Sequence, residues 1–245
     1  MSHKSHLILA IFLRVLPLAV ATPAWSEGRE PPGHFFNAYQ LKTGTTEISA
    51  LSQVKSAVHD ELELNMFAGA YLLKPTFWNL GLKHKMFQTD RALTSFNSHS
   101  FIFKNGPDLY LASLHGVVTS IQIKGDQNLN LGLMDGLVMT FARTAQTSLH
   151  LITPLMGWDW VYSAHWSLAA TFARPIYAIG QLESDDTGEG VLEIDFTKKN
   201  YNPGLGFLTA SYSWNSFRLE SGLVYLSVER GAVFPYLNLF WSFGG

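Results

Sequence analysis

The chain has 245 residues, no cysteine, 47% apolar residues and a formal net charge of −2. That much apolar material suits one sizeable domain. Without cysteine there are no disulfides, no thiolate metal sites and no acylated N-terminal Cys, so any membrane attachment has to come from the fold.

Residues 1–26 read as a signal peptide. Lys4 and two histidines precede an apolar run over residues 7–21, and Ala24-Trp25-Ser26 then puts small residues at both specificity positions. Cleavage is expected after Ser26, with Ala21 as the alternative site. Arg14 and Pro17 interrupt the run and leave it short of the roughly 20 residues a spanning helix needs, so an uncleaved anchor is the weaker reading. Removing Lys4 and Arg14 from 17 basic residues leaves 15 against 19 acidic ones, a net charge of −4. A surface of that sign makes nucleic acid a poor partner. Beyond the leader no apolar stretch approaches the length of a helical span, so a membrane protein of this sequence has to be a barrel.

Residues 27–60 read as an N-terminal extension. Its first part, 27–33, combines charge, proline and glycine, as a flexible segment does. Over 43–59, Ile48, Leu51, Val54 and Val58 recur at helical intervals, which suits either a short helix or a frayed first strand.

From Glu61 onward the dominant signal is alternation in segments near ten residues, the length at which a tilted strand crosses hydrocarbon. Leu62, Leu64 and Met66 share a face opposite Glu61, Glu63 and Asn65. Trp78, Leu80, Leu82 and Met86 continue the pattern, and Leu129, Leu131, Leu133, Leu137, Met139 and Phe141 form a third apolar face. In 191–197, Leu192, Ile194 and Phe196 alternate with Glu193, Asp195 and Thr197; in 217–225, Phe217, Leu219, Leu223 and Tyr225 oppose Arg218, Glu220 and Gly222. The apolar faces are rich in Leu, Trp and Phe, whereas the opposing faces carry Gly, Asn, Thr, Ser and scattered charge. A soluble barrel packs its apolar face inward with Val, Ile and mixed sizes. This composition instead suits lipid outside and a hydrated or polar lumen inside. Aromatics cluster near segment ends, Trp158, Trp160, Tyr162 and Trp166 around one turn and Tyr212 and Trp214 before another, as interfacial girdles do.

Ten strands are expected, at 61–74, 76–87, 108–124, 128–143, 147–162, 166–181, 191–198, 204–214, 217–228 and 233–243, with 35–41 and 100–104 as candidates for twelve. The fold class is therefore all-β, an antiparallel transmembrane β-barrel of about 10–12 strands occupying 61–245. A C-terminus in the periplasm puts the 198–203 loop outside the cell. It also places the long 181–190 loop in the periplasm, against the rule of short turns there. A missed or false strand before Val191 is the expected reason.

The last segment, with Leu237, Leu239, Trp241 and Phe243 alternating against Tyr236, Asn238, Phe240 and Ser242, resembles the C-terminal β-signal of bacterial outer-membrane proteins. It departs from that pattern in carrying Gly244-Gly245 after the aromatic. The segment 153–175, TPLMGWDWVYSAHWSLAATFARP, resembles the central hairpin of outer-membrane barrel families without an assigned activity. These resemblances imply the fold, the outer membrane as location, its lipid as surroundings and the barrel assembly machinery as a partner. They imply no oligomeric state.

Function is expected to be that of a narrow channel for small solutes or of a barrel with no pore. Inward Glu61, Glu63, Lys124, Glu193, Asp195, Arg218 and Glu220 either line a pore and bias its ion selectivity or pair across a closed interior. His165 and Ser167, at i and i+2, are the candidates for a rim lipid hydrolase, similar to the His-x-Ser of outer-membrane phospholipase and lipid A deacylase. Those families follow the serine with Asn where this chain has Leu168, and no acid is placed to orient the histidine. Asn97-Ser98-His99-Ser100 has similar residue types but reads as loop. Glu183, Asp185, Asp186 and Glu189 make an acidic segment with weak Ca²⁺-ligand character and no EF-hand order. His34, His59, His84, His99, His115 and His150 lack metal-ligand spacing, so no metal or other cofactor is expected. A secreted soluble β-barrel binding protein, apolar faces inward, is the remaining alternative.

Overall fold

The computed structural model describes residues 36–51, 53–68, 77–124, 126–141, 145–184, 188–196, 203–227 and 231–244. Fourteen strands appear in chain order: β1 (Thr45–Ser49), β2 (Gln53–His59), β3 (Leu62–Phe67), β4 (Phe77–Gln88), β5 (Ala92–Asn105), β6 (Asp108–Lys124) and β7 (Gln127–Phe141). They continue as β8 (Ala145–Val161), β9 (Trp166–Ala173), β10 (Tyr177–Ser184), β11 (Gly188–Asp195), β12 (Gly204–Trp214), β13 (Phe217–Ser227) and β14 (Gly231–Gly244). All pairings are antiparallel. β1 to β9 follow in sequence, β9 pairs β12, and β14 closes on β1, which makes a closed barrel of twelve strands.

The two remaining strands extend one wall. β8 is long enough to take two partners end to end: Leu155 to Val161 pair with β9, and Ala145 to Ile152 pair with β10. Antiparallel pairing to one strand makes β9 and β10 run in the same direction. β11 pairs β10 and β12 pairs β9, so β11 and β12 also run in one direction. β11 and β12 therefore make a single traverse, not the two opposed strands expected on either side of 198–203. This places the 181–190 connection at the end opposite the C-terminus and removes the conflict over a long periplasmic turn.

Alternation decides which side chains point in. Glu63, Asn65 and Phe67 on β3, Asn79 and Lys83 on β4, and Arg218 and Glu220 on β13 are buried inside. Their neighbours point outward, among them Trp78 (62% exposed), Leu133 (56%) and Leu237 (65%). Apolar faces outward and polar faces inward are the reverse of a soluble binder. At the C-terminal end, outward rings make a belt. Trp158 meets Trp160 and Trp160 meets Tyr162, while Trp166, Tyr212, Trp214, Phe217, Trp241 and Phe243 adjoin in turn with centroids 4.8 to 6.0 Å apart. Asn215 takes a positive φ of 49° in the two-residue turn that pairs Trp214 with Phe217, a conformation Asn tolerates and tight hairpins require.

Three expectations are corrected. The wall begins at Thr45, because 43–59 forms the β1–β2 hairpin rather than a helix: Ile48, Val54 and Val58 all lie at even, outward positions, and Leu51 sits in the turn. Asn97-Ser98-His99-Ser100 lies in the middle of β5, within the strand whose end had been expected at 100–104. Residues 36–41 are not a wall strand at all but enter the lumen.

Candidate functional site: the plugged lumen

The chain leads from Thr45, at the C-terminal end of the barrel, back into its interior. Leu41 donates its backbone N–H to the Glu63 carboxylate at 2.9 Å, and Gln40 Nε2 donates to the Lys83 carbonyl at 2.7 Å. Tyr39 donates its hydroxyl to Asn128 Oδ1 at 2.7 Å, and Ala38 N–H donates to Ser120 Oγ at 2.8 Å. Asn37 Nδ2 donates to Asp159 Oδ2 at 3.0 Å, an oxygen that also accepts from Asn130 Nδ2 at 2.8 Å. The Lys83 ammonium donates to the carbonyls of Asn37 at 3.1 Å and Tyr39 at 2.8 Å. An irregular segment inside a barrel has no ladder partner, and buried backbone groups cannot be left unsatisfied. Wall side chains from β3, β4, β6, β7 and β8 supply what a neighbouring strand would.

Phe36 ends the described part of this plug in an apolar layer of Leu114, Val118, Met134, Leu155, Ala173 and Leu205. Further from the C-terminal end lies a second inward apolar cluster, Val138, Leu149, Leu151, Ala178 and Phe196. A third gathers Phe67, Phe101 and Ala112 with Phe77 and Tyr236. The lumen is thus polar and filled where the plug sits and apolar beyond it.

Among the described residues, seven charged side chains are buried in this interior: Glu47, Lys55, Glu63, Lys83, Asp159, Arg218 and Glu220. Arg218 donates from Nη2 to Glu47 Oε1 at 2.8 Å, lies with Nε 3.9 Å from Glu220 Oε2, and sets its guanidinium 4.1 Å above the Phe240 ring. Burying charge is costly unless it is paired, and here four acids are interleaved with three bases. Gly81 makes room on the same inner surface. A Cβ there would run into Asn65 Oδ1 and His99 Nδ1.

Of the expected lumen charges, Glu63, Arg218 and Glu220 face inward and are buried. Glu61 is exposed in the β2–β3 turn. Glu193 and Asp195 point away from the inward Ile194 and Phe196, and Glu193 accepts from the Tyr177 hydroxyl at 2.5 Å on the outside. The apolar face of that strand is the inner one, because the wall shifts phase between β9, where Ala173 is inward, and β10, where Ala178 is. The Lys124 side chain lies outside the described residues. Glu47, Lys55, Lys83 and Asp159 were missed. Lys83 and Asp159 occupy the polar positions of strands that had been correctly recognised, so period two alone could have found them; Glu47 and Lys55 were hidden in the segment with helical spacing.

His165 precedes β9 in a turn of the aromatic belt, with Nδ1 2.8 Å from the Ser213 carbonyl, whereas Ser167 is buried on the inner face. They stand at the end that carries the C-terminus and form no dyad, because the i, i+2 rule applies only once the strand has begun. Asp185 and Asp186, and the side chains of Glu183 and Glu189, lie outside the described residues. Leu237, Leu239, Trp241 and Phe243 all point outward from the closing strand β14. Also on the outside, a groove of about 510 Å³ runs between Met156, Trp158, Phe172 and Leu208, without a charged residue in its lining.

No family model and no curated protein matches the chain. Among solved structures it is similar to the CymD monoaromatic hydrocarbon channel, at 7% identity over 84% of this chain and 85% of that one, with a TM-score of 0.39. It is similar to the Ralstonia pickettii toluene transporter TbuX at 7% identity, covering 82% and 87%, with a TM-score of 0.37. LpxR from Salmonella typhimurium matches at 10% identity, covering 82% and 99%, with a TM-score of 0.30.

Proposed function

We propose that this protein is a bacterial outer-membrane barrel, exported by the leader 1–26, that acts as a channel for small solutes and is held closed by its own residues 36–41. The observation that carries the reading is the grip of wall side chains on the backbone of that segment. A purely structural barrel is filled by side chains of its own wall. Here the filling includes residues 36–41, which precede the first wall strand and are held by hydrogen bonds that water can replace at modest cost.

The outward apolar faces and the aromatic belt support the membrane setting, with the belt at the periplasmic interface and lipid of the outer membrane around the wall. The outward row Leu237, Leu239, Trp241 and Phe243 on the closing strand is the segment we assign to recognition by the barrel assembly machinery.

The test is planar-bilayer conductance of the refolded mature protein beside a variant lacking residues 27–41, both checked for heat-modifiable migration on a gel. The expected result is a silent intact protein and persistent steps from the deletion variant. A deletion variant that folds and stays silent overturns the channel reading. A protein that stays monodisperse without detergent overturns the membrane setting.

A further inference from the structure

Among the described residues of β5 to β8, the outer face of the barrel carries a polar row that the lumen does not explain. Ser98 on β5, His115 on β6 and Asp135 on β7 are consecutive partners across three neighbouring strands, and all three point outward. Ser98 Oγ stands 2.7 Å from Nδ1 of His115, and His150 of β8 extends the row with Nδ1 3.1 Å from Asp135 Oδ2. Outward positions nearer the aromatic belt are overwhelmingly apolar: Leu129, Leu131 and Leu133 on β7, and Trp160, Trp158, Met156, Pro154 and Ile152 on β8. Polar side chains facing hydrocarbon are destabilising, so two contacting pairs on neighbouring strands call for a role.

Their height suggests one. Asp135 comes eight residues after Gln127, where β7 starts, and a tilted strand needs about 9–11 residues to cross the hydrocarbon. The row therefore stands in the upper half of the wall, the half that faces outer-leaflet lipid. Beyond it the outer face is mixed, with Ser148 and Gln146 on β8 beside Leu137 and Met139 on β7 and Ile102 on β5.

We propose that Ser98 and His115 form a hydrolytic dyad that cuts acyl esters of lipid in the outer leaflet, with Asp135 and His150 as positioning residues; this rests on the membrane setting above but not on the channel. In the tautomer with its proton on Nε2, His115 accepts the Ser98 hydroxyl proton at Nδ1 as Oγ bonds to the ester carbonyl carbon. The tetrahedral adduct collapses, the ester C–O bond breaks, and the imidazolium returns the proton to the leaving alcohol. Water, activated by the same nitrogen, then attacks the acyl-serine, releasing the fatty acid and restoring Ser98.

Directly opposite residues on one face of a sheet hold their Cβ atoms about 5 Å apart, so Asp135 is the neighbour of His115 on the next strand, with its carboxylate on His150. The bond from His150 holds that carboxylate in place.

The test measures fatty acid released from vesicles of phosphatidylethanolamine and lipopolysaccharide carrying the full mature protein. Heat-modifiable migration verifies that every variant is folded and inserted, so loss of the membrane setting is seen separately from loss of activity. Release is expected from the unmodified protein and is expected to fall about 100-fold or more in Ser98→Ala and His115→Asn. Asp135→Asn should lower kcat with little change in KM. Thr94→Ala, which breaks a different outward pair with Thr119 at 3.0 Å, should leave release unchanged. An inserted, folded protein that releases no fatty acid, or release that survives Ser98→Ala, overturns the proposal.

Discussion

Lys83 and Tyr39 lie 44 positions apart, yet the lysine ammonium donates to the tyrosine carbonyl at 2.8 Å inside the barrel. One buried cation thereby holds two carbonyls of the plug, at residues 37 and 39, and the plug's N–H groups answer to Glu63 and Ser120 on either side.

Lys83→Met removes the donor and leaves both carbonyls without it. Charge-assisted hydrogen bonds of this kind contribute on the order of 2 kcal/mol. The variant is expected to open intermittently in a planar bilayer at protein levels where the parent is silent, while its barrel still shows heat-modifiable migration. A variant as silent as the parent would mean that the remaining contacts hold the plug unaided.

Arg218→Met should be far more damaging to stability than to closure. It strips Glu47 and Glu220 of a buried cation, and breaking one side of such a pair costs roughly 3–5 kcal/mol. Glu47→Gln combined with Arg218→Met should recover part of that loss, because no carboxylate at 47 then remains stranded. A double-mutant cycle in urea, from lipid vesicles, reads the coupling.

Gly81→Ala tests how closely the inner surface is packed. The new methyl would push against the Asn65 amide and the His99 ring, which can yield only by moving into the filled lumen. Overpacking of this kind costs about 1–3 kcal/mol. A lower midpoint of urea unfolding is the expected outcome, and an unchanged midpoint would show the lumen looser than its contacts imply.

Leu133→Arg distinguishes a lipid-facing surface from a wet one. Leu133 is outward and more than half exposed, and such a change on a water-facing surface falls within about 0.5 kcal/mol. Facing hydrocarbon it should cost on the order of 2–4 kcal/mol. Unfolding from vesicles measures the difference directly.

Most of the wall was readable because strand alternation is a local property. The phases of β3, β4, β7, β13 and β14 follow from residues two apart, and so does the inward placement of Glu63, Arg218 and Glu220. Alternation fails where the wall slips by a residue, since one extra position sends every later side chain to the other face. The breaks between β9 and β10 and between β11 and β12 are such places, and the inversion of Glu193 and Asp195 is their consequence. Over 43–59 a helix and a first strand were both open for a related reason: a turn between two very short strands spaces Ile48, Leu51 and Val54 as a helix would.

The sequence by itself determined a cysteine-free chain of amphipathic strands with apolar faces turned outward and an aromatic belt at one end. Each of these is written in composition or in spacing along a few residues. Only the tertiary structure decided what fills the lumen and what meets on the outer wall. Asn37 finds Asp159 across 122 positions, and Ser98, His115 and Asp135 become neighbours through the register of three strands. Such contacts depend on closure of the whole sheet, and no local pattern of residues encodes them.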